Sequence, residues 1–302
     1  MILSMDSLNN HKVAKIVLAA FIAFVVNAAR AEGPDANSGF LGGVWKKVRT
    51  GVGSVVKSSF KEGEIQYKAV EVDERQNLVR LAKCANAAYR EVEIPEGYVA
   101  FSGSDWDSLV LGRHYPGCKY DENGYVDLGS GMRARIMFEK RTGDIVVAYS
   151  GCDILENASA GAKDVATVAK HWWGTVNGQY GQALDIFNGL LLSYPSRKFE
   201  VVGHSLGGGL ATFVVAACND SDERVTGATF NGLGLSKAIC KKYITPWREE
   251  RAAKFIVNVK GSSDPVFVIN GKHFGRVYNI EYDTLMCDPH SLDELIVQMR
   301  KR

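Results

Sequence analysis

This chain has little of what a metal site or a membrane span needs. No C-x-x-C or H-x-x-H spacing occurs, which removes the common zinc patterns, and no metal or other cofactor is expected. The longest apolar run near the start, Ile16 to Val26, falls short of the roughly 20 residues a spanning helix needs, and no other stretch reaches that length. Excess charge is missing too: a formal net charge of +2 argues against a nucleic-acid partner, so any basic patch has to be local. The six cysteines are widely spaced and form no dense staple, and there is no internal repeat or low-complexity tract. What remains is an ordinary globular composition, 46% hydrophobic over 302 residues, enough for one α/β domain with an N-terminal extension.

The N-terminus reads as an export signal. His11, Lys12 and Lys15 precede the apolar run, and Ala29-Arg30-Ala31 supplies a small-x-small cleavage site before Glu32. The expected division is a signal peptide over 1–31, an extension over 32–73 and a catalytic domain over 74–302, the mature protein being secreted or periplasmic; an uncleaved anchor is the alternative. In an exported protein an even cysteine count permits disulfides, although Cys84 and Cys218 lie in apolar helical patterns that suit buried thiols equally well. Within the extension, residues 40–61 project as an amphipathic helix. Phe40, Leu41, Val44, Trp45, Val48, Val52, Val55 and Val56 share an arc of roughly 160°, and Lys46, Lys47, Lys57 and Lys61 lie opposite. Such a segment suits contact with a membrane surface, while glycines 42, 43, 51 and 53 weaken the helix and packing on its own domain is the rival reading.

The most informative stretch is Lys198 to Gly209, KFEVVGHSLGGG. An apolar β-branched run stops at Gly203-His204-Ser205-Leu206-Gly207, and small and apolar residues follow from Leu210 to Cys218, so the order is strand, sharp turn, helix. A nucleophile elbow needs this order, because the turn lifts a serine off the strand end. Other elements follow from period. Residues 74–90 form a packing helix with no assigned chemistry, 131–150 a hairpin into the core strand ending Tyr149-Ser150-Gly151-Cys152, and 179–192 a helix that crosses over to the nucleophile strand. The residues between Asp153 and about Tyr180 read as irregular and as the place for a lid, with His171-Trp172-Trp173 on its apolar face or in a buried turn. Further strands are expected at 225–235 and 255–259, a final hairpin from 266–269 and 277–280, and a last helix at 291–299.

A serine hydroxyl needs a base, and an imidazole needs a carboxylate to fix its tautomer and stabilise its cation. Only His273 and His290 follow Ser205. His290, in a loop just before the last helix, is favoured over His273, which sits in an apparent hairpin turn. Asp264 stands just past the strand FIVNV, at a sheet end where functional residues collect. It is preferred to Asp283 and Asp288, which are close to His290 in sequence, and to Asp220 and Asp222, which follow the elbow helix at its far end. The oxyanion hole is expected from the N–H groups of Leu206 and Cys152, one after the nucleophile and one after the earlier strand.

Assembled in this order, the chain resembles the class 3 lipase family of the α/β-hydrolase superfamily, including its bacterial phospholipase-like branches, over roughly residues 75–300. The likeness rests on IVVAYSGC, GHSLGGGLA, TFNGLGL, SSDPV and DPHSLDEL. It implies an α/β-hydrolase fold, a mostly parallel sheet with flanking helices and a lid, and a serine esterase of triacylglycerol lipase or phospholipase A type that acts on lipid esters without a metal. The family's usual Arg-Gly-Thr or Arg-Gly-Ser is Ser150-Gly151-Cys152 here, a thiol in a hydroxyl's place. A catalytically silent lipid-binding protein on the same fold and an acyltransferase are the alternatives.

Overall fold

The computed structural model describes residues 67–68, 72–89, 92–103, 105–106, 109, 115, 118–129, 131–151, 162–219, 223–262, 264, 266–267, 271–282 and 290–301, with the backbone alone at 67–68, 72, 162–177 and 238. The leader, the segment 40–61, Cys152, Cys287, Asp220, Asp222, Asp283, Asp288 and the side chains of His171-Trp172-Trp173 lie outside the described residues. Contacts gather residues 67–152, 173–283 and 287–302 into one compact unit, which contains everything below apart from residues 162–172.

Ten strands form its sheet among the described residues. They are β1 (Tyr67–Lys68), β2 (Tyr98–Ala100), β3 (Lys119–Tyr120), β4 (Tyr125–Asp127), β5 (Arg133–Glu139), β6 (Ile145–Tyr149), β7 (Phe199–His204), β8 (Val225–Phe230), β9 (Ile256–Gly261) and β10 (Arg276–Ile280). The helices are α1 (Val72–Asn86), α2 (Ala162–Ser193), α3 (Leu206–Ala217), α4 (Lys237–Tyr243), α5 (Pro246–Phe255) and α6 (Leu292–Lys301). Strand order is β1-β10-β9-β8-β7-β6-β5-β4-β3, with β2 on β5. Every pairing from β1 through β6 in that order is parallel, and β5, β4, β3 and β2 add an antiparallel flank.

The period-two alternation of the strands sends side chains into two apolar layers. On one face Val147, Tyr149, Phe199 and Val201 meet Ile186, Phe187 and Leu190 of α2 and Leu210, Phe213 and Val214 of α3. On the other, Val146, Ala148, Val202 and Phe230 meet Leu78, Leu81 and Ala85 of α1 and Leu295, Ile296 and Met299 of α6. A mostly parallel sheet buried on both faces needs strands that are apolar throughout, and all five residues of β6 are buried. This is the α/β layering of the α/β-hydrolase fold.

Two expectations change. The stretch read as irregular up to Tyr180 is helical from Ala162, so α2 begins well before Gln179. Ala162, Val165, Ala166 and Ala169 recur at helical spacing and outweigh Gly174 and Gly178, each of which costs about 1 kcal/mol against alanine. No final hairpin forms among the described residues. Residues 276–280 pair in parallel with β9, and Val266 and Phe267 are helical because the Asp264 carboxylate takes their N–H groups. Of the described cysteines, Cys84, Cys118, Cys218 and Cys240 are thiols outside any disulfide, and Cys84 and Cys218 are buried.

Candidate active site

Parallel strands aim their C-terminal ends at one edge of the sheet, and the chemistry-bearing residues of this chain collect there. β7 runs into Ser205, and α3 starts at the next residue. Ser205 has φ 57° and ψ −125°, a conformation that costs a non-glycine residue about 1–3 kcal/mol. It is held by a hydrogen bond from its N–H to the Phe230 carbonyl and by its own carbonyl, which accepts from Leu233 N–H at 2.9 Å and from Gly208 N–H at 3.1 Å. Two glycines let the turn close. A Cβ at Gly203 would run into the Gly207 backbone, and one at Gly207 into the Tyr149 carbonyl of β6. Strand β7, helix α3 and strand β6 thus approach backbone to backbone, which explains the spacing of Gly203 and Gly207 about Ser205.

Leu206, the first residue of α3, carries one of the helix N–H groups that lack an intrahelical partner. The positive end of the helix dipole lies at the same place, so this end of α3 favours negative charge. The end of β6 also abuts the serine: a Cβ on Gly151 would stand 3.2 Å from Ser205 Cβ. Cys152, the other expected oxyanion donor, is the next residue and lies outside the described ones.

Asp264 follows β9 and is only 3% exposed. Its carboxylate accepts Val266 N–H at 3.1 Å on Oδ1 and Phe267 N–H at 3.2 Å on Oδ2. His290 Nδ1 donates to Asp264 Oδ1 at 2.9 Å. A carboxylate can only accept, so the neutral imidazole carries its proton on Nδ1 and keeps Nε2 as the basic nitrogen.

His273 is committed elsewhere. Its Nε2–H donates to the Phe267 carbonyl at 2.8 Å, and its ring stacks on Phe267 with centroids 3.7 Å apart. Burial pushes its pKa from the ordinary 6.5 to about 4, against the smaller opposing pull of the hydrogen bond and of Asp264. It therefore braces the turn that presents Asp264.

Three residues with no assigned role also converge here. His204 Nε2 bonds the His290 carbonyl at 2.8 Å, and its Nδ1 meets the Tyr89 hydroxyl at 2.7 Å. Asn231, just past β8, donates from Nδ2 to the same carbonyl at 3.2 Å. A helix period cannot distinguish Tyr89 from a packing residue, and His204 is masked by the serine beside it. Asn231 in TFNGLGL carried the one usable signal, a polar residue at a strand end.

The described residues contain no cluster of acidic, histidine and cysteine side chains suited to a metal ion. The pair His290–Asp264 and the strained Ser205 are of the residue types that nucleophilic acyl chemistry uses.

Comparison with known proteins speaks to the family of the chain. The model of the Tle-like phospholipase domain, a phospholipase-like family, matches residues 80–273. No curated protein matches the chain. Among solved structures, a triacylglycerol lipase described as having a serine protease triad for its catalytic centre aligns at 14% identity over 70% of this chain and 82% of its own, with a TM-score of 0.46. Lip2 lipase from Yarrowia lipolytica aligns at 14% identity over 78% and 92%, with a TM-score of 0.43. A triacylglycerol lipase from Penicillium expansum aligns at 16% identity over 71% and 82%, with a TM-score of 0.41. The family match spans more than half of the chain, takes in both the serine turn and the acid loop, and ends before His290. On that match the chain belongs to the Tle-like phospholipase domain family and is a lipase-like carboxylic ester hydrolase of the α/β-hydrolase fold.

Proposed function

We propose that the protein hydrolyses carboxylic ester bonds of lipids, as a triacylglycerol lipase or a phospholipase of A type, through an acyl-enzyme on Ser205. The observation that carries this reading is the pairing of His290 Nδ1 with Asp264 Oδ1 at 2.9 Å, at the sheet edge where Ser205 is held in its strained turn.

In the first half-reaction His290 Nε2 takes the Ser205 proton as Oγ bonds to the ester carbonyl carbon, and the carbonyl π pair moves onto oxygen. Leu206 N–H and Cys152 N–H receive that oxyanion, each donor lowering the barrier by about 3 kcal/mol. Asp264 stabilises the imidazolium, which then protonates the leaving alcohol as the C–O bond breaks. In the second half water attacks the acyl-enzyme by the same route and releases a fatty acid and free Ser205. Export with cleavage after Ala31 and docking of residues 40–61 on a lipid surface complete the proposal, and both are supported by sequence pattern.

The test is a lipid panel incubated with purified protein, the products and their positions read by mass spectrometry. Fatty acid release that disappears in Ser205→Ala, together with fluorophosphonate labelling lost in the same variant, supports the proposal; equal release by the variant refutes it. Liposome flotation with residues 32–63 deleted tests the docking segment, and unchanged binding removes its role.

A further inference from the structure

The carbonyl oxygen of His290 is a junction. It accepts His204 Nε2–H at 2.8 Å and Asn231 Nδ2–H at 3.2 Å, one donor for each of its lone pairs. His204 ends β7 and Asn231 follows β8, two strands that pair in parallel with His204 opposite Phe230. The other end of the Asn231 amide faces the acid. Its Oδ1 accepts the N–H of Gly261, the last residue of β9, at 2.8 Å, and the Gly261 carbonyl in turn accepts Asp264 N–H at 3.1 Å. One buried amide therefore joins the strand that leads to Asp264 with the loop that carries His290.

The backbone at Asn231 sharpens the point. It has φ 46° and is 0% exposed. A non-glycine residue there bears strain that glycine would not, and the amide's bonds to Gly261 and His290 are what the side chain returns for it.

His204 is fixed from behind. A carbonyl only accepts, so His204 must carry its proton on Nε2, and its Nδ1 then accepts the Tyr89 hydroxyl proton. Burial, helped by the neighbouring His290, pushes the His204 pKa from 6.5 to about 3, so the ring stays neutral. The two imidazoles lie 4.8 Å apart by ring centroid. The Tyr89 hydroxyl on Nδ1 reinforces the tautomer that the His290 carbonyl selects, since the other one would turn a lone pair of Nε2 against that carbonyl.

We propose that Asn231, His204 and Tyr89 are positioning residues that hold the His290 main chain, and with it the imidazole, in register with Ser205 and Asp264. The proposal rests on the triad reading above. A displacement of about 1 Å in such a site costs about 10²-fold in rate, so a clamp on the backbone of the base acts on kcat while leaving substrate binding alone.

The experiment uses a soluble short-chain ester and five variants. Asn231→Gly accommodates the positive φ without strain and removes both amide bonds. Its kcat per folded molecule is expected to fall by about 10²-fold with KM within about threefold, while Tm drops with the loss of the two buried hydrogen bonds. Tyr89→Phe is expected to lower kcat by about tenfold, and ¹⁵N spectra of its histidines should show the Nε2–H tautomer of His204 less fully populated than in wild type. His204→Gln, whose amide nitrogen can donate to the same carbonyl, should retain more kcat than His204→Ala. His290→Ala separates the two readings. If it is inactive while Asn231→Gly and Tyr89→Phe keep full kcat, the triad stands and the clamp is overturned. If kcat falls only in step with lost folded protein, the residues are structural and the clamp is again overturned. Full activity in His290→Ala overturns the triad and the clamp with it.

Discussion

Asp264→Asn removes one charge and leaves the shape of the acid turn unchanged. The carboxylate is 3% exposed and touches His290 Nδ1 at 2.9 Å, so the charge that stabilises an imidazolium in the transition state is little screened by water. At an effective dielectric of about 20, opposite charges some 4 Å apart attract by about 4 kcal/mol, which is about 10³-fold in rate. Tautomer loss adds to this. Both carboxylate oxygens are acceptors, Oδ1 for Val266 N–H and His290, Oδ2 for Phe267 N–H. An asparagine must therefore point its NH₂ at one of these donors. If it faces His290, the imidazole proton moves to Nε2, and the base is occupied; if it faces Phe267, one backbone hydrogen bond is lost at about 1–3 kcal/mol of stability. The expected fall in kcat on a soluble ester is ~10³ to 10⁴-fold, with KM little changed. Steady-state kinetics alongside circular dichroism and thermal melting would check it. A fall below about tenfold in a folded variant refutes the assignment of Asp264.

Acid should destabilise the fold through His204. Its folded pKa of about 3 lies below the ordinary 6.5, so the unfolded chain binds the extra proton and stability falls as pH drops through 6.5, the loss becoming complete near 3. At pH 5 the loss is about 2 kcal/mol, readable as a reduced urea midpoint that His204→Gln does not show. Gly207→Ala drives a methyl into the Tyr149 carbonyl and should cost about 3 kcal/mol, lowering Tm by about 6–12 °C. A Tm within 2 °C of wild type, on the order of the shift for a mild change, would show that the turn has room. His273→Leu loses the Phe267 stack and the bond that braces the acid turn, and should destabilise by about 1–3 kcal/mol in chemical denaturation.

The residues flanking Ser205 show what local sequence can convey. A β-branched run, two glycines about a serine and an apolar helix state their geometry within twelve residues, because the clash that Gly203 avoids is with Gly207, in the next turn of the chain, whereas the one that Gly207 avoids, with Tyr149, is tertiary. Asp264 was equally legible, since a polar residue past an apolar strand falls at the sheet edge by topology alone. The long α2 was legible in part: its later turns carry large apolar residues, while Gly174 and Gly178 hide the continuity that the alanine and valine spacing before them supports.

Tertiary structure decided what depends on residues far apart in sequence. The segment 276–280 reads as either a hairpin arm or a parallel strand, and only the site open along β9 selects the second. His273 and His290 are both histidines in turns until Phe267 claims one ring and Asp264 the other. Tyr89, His204 and Asn231 carry no shared pattern, because a hydrogen bond between residues 115 positions apart leaves no period in the chain. Sequence by itself determined the α/β order, the serine turn and the acid at a strand end, all of them consequences of local sterics and hydrophobic period. The pairing of His290 with Asp264 and the bonds on the His290 carbonyl required the packed sheet, because only packing brings the ends of β7 and β8 within hydrogen-bond reach of one carbonyl oxygen near the C-terminus.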